Sequence, residues 1–511
     1  MPPSRPPGDG ARAPRLVALL PTVWSVRNVV YGGVLRRLAA AGVDVRVLVP
    51  RRPSPAALAA RPAFADATEI HELRVASPRL APRPGAGNGV RRGKELLEAA
   101  VRAGFSHRHG IASYEIYARW LERRAPLRER LHTRVAEALG VALRRDALRA
   151  RAVRAVERGY RDLYVLEPAR AHLRELAPDL VYSTACILAS EYPYSLAAKD
   201  LGVRTVASIP SFDNLTSRGV LPRFDDYLVW NERMRDQLLR FYPAVEAAKV
   251  RVTGTPQFDF HVRPEYRWER PRTLAALGLP SDARYLLYSA SHQQLTPDEP
   301  ALVAELARRA RAHPALGGHM LVVRLHPLED WSRWNAVRGA APHVVLSPAW
   351  DEPPDASGWT LASPDGQARL VSSIAHADAC VNIASTMSLD AAILDRPVVG
   401  IDFRGEPDAP RDVLYGEYEA EHYRPLVQSG GIRVARSWSE LLDLLETAVG
   451  DPARDRAARA GMARSECGTV DGHAADRVAD ALLELLGVRE ATAPAARSAV
   501  SEPHLAATSG R

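Results

Sequence analysis

The stretch RLVALLPTVWSVRNVVYGGVLRRLAAAGVDVRVLVP, residues 15–50, decides the fold. It begins with an apolar strand pattern over Arg15–Leu20, and Asn28–Ala41 then has the spacing of a helix that ends at a glycine. A second apolar strand, Val43–Val49, stops at a proline. Strand, helix and strand in this order predict a βαβ unit, and such a unit requires a parallel sheet.

The same alternation of strand and helix patterns resumes at residue 178 and starts again after residue 276. The intervening residues 262–275 are polar and contain two prolines, which is typical of an interdomain linker. Two consecutive parallel sheets of this kind face a cleft, and their ligands bind outside the carboxyl ends of the strands. The predicted organisation is a disordered segment 1–14, a Rossmann-like α/β domain 15–262, a second such domain 276–488 and a disordered tail 489–511.

Composition excludes several classes of protein. The chain has 511 residues, 46% hydrophobic and 25% charged, which predicts two or three globular domains and excludes fibrous or wholly disordered proteins. Three separated cysteines, Cys186, Cys380 and Cys467, predict neither a disulfide framework nor a cysteine-built zinc site, and they fit a reducing compartment. No apolar run reaches the roughly 18 residues of a membrane span, and no secretory signal is recognisable. We therefore expect a cytoplasmic protein.

The net charge of +8 is concentrated in one segment. Residues 91–170 hold 19 Lys and Arg against 10 Asp and Glu, whereas the rest of the chain is nearly balanced. Residues 91–172 predict a basic helical insertion in the first domain, with an apolar helix face spaced every four residues. The insertion is either a solvated structural element or a patch that contacts an anionic membrane, at its inner face, near a lipid-linked substrate. Nucleic acid is not expected, because interleaved aromatic residues are missing. The apolar face consists of Leu127, Leu131, Val135 and Leu139.

The segment DACVNIASTMSLDAAILDRPVVGID, residues 378–402, holds the most informative candidate site. An apolar strand pattern ends in the hydroxyl residues Ser385, Thr386 and Ser388, and a helix pattern then begins. Free backbone N–H groups, hydroxyl donors and the positive end of a helix dipole predict an anion site. Asp390, about one turn into the helix, is placed to accept hydrogen bonds from sugar hydroxyls. Simple capping of the helix by Ser385 or Thr386 is the alternative.

A second candidate is His326, which follows the strand pattern in VVRLHP, residues 322–327. An imidazole at the carboxyl edge of a sheet can donate to a phosphate oxygen or transfer a proton near neutral pH. Arg324 alternates with the apolar strand residues and is expected to line the same side. The alternative is that His326 only closes a turn.

These motifs resemble the nucleotide-binding stretch of GT-B-fold glycosyltransferases and of the CDP-glycerol glycerophosphotransferase group. The shared elements are the hydroxyl run, the acidic residue on the helix, the Arg396–Val399 segment RPVV and the His-Pro pair after a strand. The resemblance implies that Ser385, Thr386 and Ser388 hold a diphosphate and that Asp390 holds a ribose. Asp390 departs from the pattern, because many members carry the longer Glu there.

Three further groups of residues are candidates for the site, the first two through the resemblance and the third because it is dense in polar groups just after a strand. GT-B enzymes place a loop over the donor diphosphate where this chain has Ser289, Ser291 and His292. NVVYGG resembles an acceptor-side loop, and PSFDNLTSRG offers Asp213 as a general base, although an Asx-turn made by Asp213 and Asn214 explains that segment as well. The expected acceptor-side residues are Arg27, Asn28, Gly32, Gly33, Asn214 and Arg218.

Metal chemistry is not expected, since the 15 histidines are scattered and no HExxH motif is present. No cofactor is predicted beyond a nucleotide-activated donor as substrate. The expected function is metal-independent transfer of a sugar from a nucleotide sugar to a hydroxyl of a cell-surface glycan, a lipid-linked or a small-molecule acceptor. The alternatives are a CDP-glycerol-type glycerophosphotransferase, a non-hydrolysing UDP-sugar 2-epimerase and a non-catalytic glycan-binding or scaffolding protein.

Overall fold

The structure is a computed structural model of the chain with two parallel sheets. It describes residues 12–74, 88–113, 116, 126–188, 190–293, 296–340, 342–350, 359–361, 363–403 and 416–488. The predicted tail 489–511 and residues 1–11 of the predicted N-terminal segment lie outside the described residues. Near the end of this N-terminal segment, the Arg12 guanidinium donates two hydrogen bonds to the Asp179 carboxylate, at 2.9 and 3.0 Å.

The first sheet has seven parallel strands in the order β3-β2-β1-β4-β5-β6-β7. The order reverses between β1 and β4, and such a switch point opens a crevice at the carboxyl ends of the strands. The edge strand β3 was not predicted, because its sequence EIHE is polar and only half-buried. The strands are β1 Arg15–Leu19, β2 Asp44–Val49, β3 Glu69–Glu72, β4 Leu180–Ser183, β5 Arg204–Ser208, β6 Asp226–Val229 and β7 Val250–Val252.

The second sheet has six parallel strands in the order β10-β9-β8-β11-β12-β13, with its switch point between β8 and β11. The prediction of two parallel-sheet domains is therefore confirmed. The short edge strand β13 was not predicted. The strands are β8 Arg284–Ser289, β9 His319–Arg324, β10 Val344–Ser347, β11 Ala379–Asn382, β12 Val398–Ile401 and β13 Arg433–Ala435.

Helices cover the faces of both sheets. The predicted helix Asn28–Ala41 consists of a π-helical turn followed by an α-helix, and a further α-helical turn precedes it. Those of the first domain are Val23–Val26, Arg27–Tyr31, Val34–Ala40, Pro55–Ala59, Tyr192–Asp200, Asn214–Ser217 and Glu232–Phe241, with a 3-10 turn at Pro62–Asp66 and another at Ala247–Lys249. Those of the second are Glu299–Ala312, Trp331–Trp334 (3-10), Asn335–Ala340, Pro364–Ala375, Met387–Ile393, Glu417–Glu419 (3-10), Arg424–Gln428, Trp438–Gly450 and Arg456–Cys467.

The junction between the domains is packed. The predicted linker 262–275 contains the 3-10 turn Pro264–Tyr266 and most of the helix Arg270–Ala276, which follows the helix Pro256–Val262. Leu274 belongs to an apolar cluster that also holds residues of both sheets, so the linker is anchored in the core.

The last helix, Ala474–Leu486, returns to the first domain. Its Val478 and Leu482 pack in the cluster that contains β1, whereas the sequence analysis assigned this helix to the second domain. The Asp259 carboxylate accepts hydrogen bonds from the first backbone N–H groups of the helix, those of Ala474 and Ala475, at 3.0 and 2.8 Å. These caps satisfy groups that a helix start leaves unpaired, and they tie the helix to the interdomain segment.

The basic insertion is helical, as its four helices show. The helices Asn88–His109 and Leu127–Leu143 approach closely, since a Cβ atom added to Gly140 would lie 2.5 Å from that of Ala103. The helix Leu127–Leu143 packs through this small-residue face, so the predicted apolar stripe points outward; Leu127 is 75% and Leu131 62% exposed. No described helix is long and apolar enough to cross a membrane. The four helices are Asn88–His109, Leu127–Leu143, Asp146–Leu163 and Glu167–Leu176.

Candidate active site

A cavity of about 390 Å³ lies between the two sheets, at the carboxyl ends of strands from both domains. Its polar lining comes from the turns that follow β1, β4 and β5 on one side, and from the ends of β8, β9 and β11 on the other. The polar lining residues are Thr22, Ser25, Arg27, Asn28, Thr184, Ser211, Asn214, Gln257, Ser289, Arg324, His326, Gln367, Ser385, Thr386 and Asp390.

Arg27 enters the cavity from the first domain. It begins the π-helical turn Arg27–Tyr31 and is held by two side-chain amides: Nε donates to Asn28 Oδ1 at 2.9 Å, and Nη2 donates to Gln257 Oε1 at 3.0 Å. Desolvation in the cavity wall lowers the pKa of Arg27 to about 10. Neither amide carries a charge, so the hydrogen bonds fix the guanidinium without neutralising it.

Arg324 enters from the second domain, as the last residue of β9. Its side chain is buried, and Nη1 has no hydrogen-bond partner among the described residues. Burial lowers the pKa of Arg324 to about 10; repulsion from Arg369 and Arg27 acts in the same direction, and attraction to Asp390 opposes it. The protein thus holds a desolvated cation beside others of its own sign, which costs free energy unless an anion is bound.

Asp390 is the acidic residue in the described lining. Its Oδ1 lies 2.9 Å from Nε2 of the buried His261, at ion-pair distance but without the alignment of a hydrogen bond. Two arginines and one carboxylate leave the cavity with an excess of positive charge. Guanidinium groups in such a setting bind phosphate oxygens through paired, charge-assisted hydrogen bonds.

The turn after β11 brings Ser385 and Thr386 to the cavity wall. Ala384 takes a left-handed conformation, with φ of 38°, and its N–H donates to the Tyr418 hydroxyl at 3.0 Å. The Ser385 hydroxyl accepts from the N–H of Met387 at 3.2 Å, so it caps the following helix as well as facing the cavity. That helix has seven residues, so the charge in the cavity comes from the arginines more than from a helix dipole.

Ser388 does not reach the cavity, which corrects its predicted contact with a diphosphate. The side chain is fully buried, and its hydroxyl is 2.8 Å from the Tyr423 hydroxyl and 3.0 Å from Asn382 Nδ2. At the second position of a short helix, this side chain turns inward, under the hydroxyl run. Ser388 therefore supports the turn that presents Ser385 and Thr386.

His326 lies in the cavity wall next to Arg324. Its Nδ1 accepts a hydrogen bond from the N–H of Leu328 at 3.1 Å, which places the proton of the neutral ring on Nε2. Burial lowers the pKa of His326 to about 3, so the ring is neutral at physiological pH and can offer one N–H donor. His292 does not line the cavity; its ring packs edge-to-face on His326, with centroids 5.2 Å apart.

Of the two serines predicted to contact the donor after β8, one lines the cavity and the other does not. Ser289 lines the cavity with a buried hydroxyl that has no partner among the described residues. Ser291 does not line it: its N–H donates to both carboxyl oxygens of Glu299 at 3.0 Å, and its hydroxyl donates to the Ile383 carbonyl at 3.4 Å. Glu299 was not predicted; it is buried, desolvation raises its pKa to about 7, and it fixes this loop.

The structure also corrects the predicted base and three acceptor-side residues. Asp213 lies outside the cavity lining, and its carboxylate accepts from the Ser211 hydroxyl and from Asn214 Nδ2, the latter at 3.2 Å. These bonds hold the carboxylate within its own turn, so Asp213 does not line the cleft as the predicted base. Gly32 and Gly33 lie behind the wall, where the Gly32 carbonyl accepts from Arg263 Nη1 at 3.0 Å. Arg218 is also absent from the lining.

Several lining residues were not predicted. Thr184 and Ser211 follow β4 and β5, so the strand-end rule applied to His326 would have found them. Gln367 has no such signal, since it lies in the helix Pro364–Ala375. Behind Thr184, the buried Glu191 accepts from the Ser183 hydroxyl and from the N–H of Ala185 at 3.0 Å, and desolvation raises its pKa to about 8.

The described residues contain no group of three His, Cys, Asp or Glu side chains that would hold a metal ion.

Comparisons with known proteins show the fold. No protein-family model and no curated protein matches the chain. The solved structure of UDP-GlcNAc 2-epimerase from Neisseria meningitidis bound to UDP-GlcNAc is 10% identical, with a TM-score of 0.50, and covers 92% of this chain and 100% of its own. The S. aureus MnaA–UDP co-structure is 11% identical, with a TM-score of 0.50 and coverages of 93% and 98%. The calicheamicin glycosyltransferase CalG4 is 15% identical, with a TM-score of 0.47 and coverages of 94% and 100%. The chain has the GT-B fold.

Proposed function

We propose that the cleft binds the diphosphate of a nucleotide-activated donor between Arg27 and Arg324. The observation that carries this proposal is the pair of desolvated guanidinium groups that enter one cavity from opposite domains, where the described lining residues include a single carboxylate. A diphosphate supplies the missing negative charge and enough oxygens for both side chains. Asp390 attracts both guanidinium groups, but one carboxylate offsets only part of their charge.

The surrounding groups suit the remainder of such a donor. Ser385, Thr386 and the Nε2–H of His326 offer neutral donors to phosphate oxygens, and Asp390 is an acceptor for ribose or sugar hydroxyls. The apolar surface of Leu325, Pro327 and Trp350 lies next to His326 and offers a face for the base; the Trp350 indole is fixed by donating to the Pro327 carbonyl at 3.1 Å.

The proposed reaction is transfer of a sugar to an acceptor hydroxyl. The acceptor binds against the first-domain wall, where Ser25, Thr184 and Asn214 provide polar contacts. The bond from the sugar carbon to the diphosphate breaks, the acceptor oxygen bonds to that carbon, and the acceptor proton passes to the departing diphosphate. Preorganised cations that stabilise the charge on this leaving group supply the catalysis.

A second candidate is epimerisation of a UDP-sugar, because solved UDP-GlcNAc 2-epimerases share the fold and the enzyme from Neisseria meningitidis is bound to UDP-GlcNAc. An epimerase would convert the donor with no acceptor present. A transferase, whether of a sugar or of a CDP-activated glycerol phosphate, would release nucleotide in proportion to added acceptor.

Binding and turnover test these alternatives in sequence. We expect UDP or CDP to raise the melting temperature of the full chain, and the nucleoside without phosphate to leave it unchanged. Equal effects of nucleoside and diphosphate would contradict the proposed anion site. Nucleotide sugars are then incubated with and without glycan and lipid-linked acceptors, and the products are separated by anion-exchange chromatography. Stabilisation without any turnover would support the non-catalytic glycan-binding alternative.

We also propose that the insertion brings the cleft to an anionic membrane that carries the acceptor. The stripe Leu127, Leu131, Val135 and Leu139 is exposed along one helix. Arg128 and Arg130 lie in the same helix, and the segment around it has a surplus of positive charge. An apolar helix face with neighbouring cations is the arrangement that binds acidic lipid surfaces.

A further inference from the structure

A second cavity, of about 280 Å³, lies in the first domain away from the cleft. It is formed between the insertion helix Asp146–Leu163 and the helix Tyr192–Asp200, and residues 220–223 close it. The walls are mainly apolar and aromatic, and the rings of Tyr160 and Tyr192 lie 4.9 Å apart. Its uncharged lining residues are Tyr160, Tyr192, Ser195, Leu196, Val220, Leu221 and Pro222.

The charged lining of this cavity is strongly basic. Five cations stand against Glu157, and two of the five are paired: Arg223 lies 3.0 Å from Glu157, and Arg161 pairs with Asp200. The other three form no ion pair with any described residue. Burial lowers the pKa of one of them, Lys199, which lies on the helix Tyr192–Asp200. These three unpaired cations are Arg154, Arg158 and Lys199.

Ser195 adds a neutral donor to the same wall. Its side chain is buried and its hydroxyl has no hydrogen-bond partner among the described residues. A buried hydroxyl without a partner is unfavourable, so such groups are normally satisfied by a ligand or by solvent. The cavity therefore combines cations and a hydroxyl donor with apolar walls.

We propose that this cavity binds an amphiphile with a phosphate monoester head and an apolar chain. Three unpaired cations and a hydroxyl match a dianionic head with three terminal oxygens better than a monoanionic carboxylate. The apolar chain would lie against Leu196, Val220 and Leu221. The site shares no lining residue with the cleft, although the Tyr192 hydroxyl lies 3.5 Å from the carbonyl of Ile187, which lines the cleft.

Calorimetric titration of the full chain tests the assignment with geranyl phosphate as the probe. Geraniol and inorganic phosphate represent its two halves, and decanoate represents a carboxylate amphiphile. We expect geranyl phosphate to bind at least 10-fold more tightly than any of the three. Equal binding of decanoate would overturn the assignment of a phosphate head, and equal binding of geraniol would overturn the role of the cations.

Two substitutions of Arg158, one control variant and one competitor locate the binding. Arg158→Glu is expected to weaken geranyl phosphate binding at least 10-fold, because it reverses a charge in the cavity lining, and Arg158→Gln by a smaller factor, because it only removes that charge. Arg158 is exposed at the rim, so neither replacement disturbs a buried contact. Arg151→Glu, with the same change in charge at an exposed position of the same helix outside the cavity lining, is expected to bind normally. Unchanged affinity in Arg158→Glu, or displacement of the probe by UDP, would overturn the proposal. Displacement by UDP would assign the probe to the cleft, whereas failure of UDP to bind at all would contradict only the proposed donor site.

Discussion

Arg27 and Arg324 line one cavity from opposite domains, and each carries a pKa lowered to about 10 by burial. Arg27 is held by two neutral amides, and Arg324 has a buried N–H group without a partner among the described residues. Because each side chain keeps its charge where water is excluded, the two charges destabilise the ligand-free protein, and a bound anion would offset this effect. At these two positions, a side chain that favours ligand binding therefore lowers the stability of the ligand-free protein.

Replacing Arg324 with Met tests this opposition. We expect Arg324→Met to stabilise the ligand-free protein by on the order of 1–3 kcal/mol, because a desolvated charge is removed and the aliphatic volume is kept. The same change should weaken UDP or CDP binding roughly 10- to 100-fold, since a charge-assisted hydrogen bond contributes about 1.5–3 kcal/mol. Urea unfolding and calorimetry measure the two effects.

The matched control for that variant is Arg267→Met. Arg267 is exposed in the segment between the domains, so its replacement should change neither quantity measurably. If Arg324→Met is less stable than the parent chain, the desolvated charge of Arg324 does not destabilise the ligand-free protein, and this prediction is wrong even if nucleotide binding is lost.

The turn after β11 allows the supporting and the contacting hydroxyls to be separated. Ser388→Ala removes the hydrogen bonds to Tyr423 and Asn382 inside the core, so we expect it to lower the free energy of unfolding by about 1–3 kcal/mol. Thr386→Ala changes an exposed side chain, so it should leave stability within about 0.5 kcal/mol and weaken nucleotide binding several-fold. Urea denaturation and nucleotide titration distinguish the two. A stable Ser388→Ala variant with lost binding would indicate that Ser388 contacts the ligand directly.

The sequence predicted the sheets and part of the site for the same reason. Apolar strands such as β9 and β11 are buried on both faces, and the polar residue at the end of such a strand has only the cleft edge to occupy. That rule located Arg324, His326 and Ser385 in the lining. It failed for Asp213, because the polar side chains of its own turn, Ser211 and Asn214, hold the carboxylate.

Other features depend on packing that no local pattern records. The direction of Ser388 is set by Tyr423, 35 residues further along the chain, and the return of the helix Ala474–Leu486 to the first domain is set by contacts with Leu35 and Leu38. The stripe containing Leu131 faces outward because small residues such as Gly140 pack better against the neighbouring helix. Periodicity identified the apolar face but not the face that is buried.

Membrane binding by the insertion is expected to depend on that outward stripe. Leu127→Ser with Leu131→Ser should lower partitioning onto vesicles of anionic phospholipid at least 10-fold, since burying each leucine contributes about 1.5–3 kcal/mol. Stability should hardly change, because both side chains are exposed. Sedimentation at low and physiological salt measures the partitioning. Val262→Ser, which removes an exposed apolar side chain outside the insertion, is the control, and equal binding of all variants would contradict the membrane proposal.

The stability of the protein should depend on pH through Glu191. Burial raises the pKa of Glu191 to about 8, whereas an unfolded glutamate titrates near 4.5, so the folded state holds a proton that the unfolded state loses between these values. Stability due to this group is therefore full below about pH 4.5 and falls as the pH rises toward 8, on the order of 1 kcal/mol per unit. Glu191→Gln keeps an oxygen acceptor for the N–H of Ala185 without the titration. We expect the difference in unfolding free energy between Glu191→Gln and the parent to grow in favour of the variant from pH 5.5 to 7.5, as measured by urea denaturation.

The control is Glu232→Gln, which changes an exposed glutamate at a helix start; its unfolding free energy should depend on pH as that of the parent does. If the difference between Glu191→Gln and the parent is constant across this range, Glu191 is ionised in the folded protein.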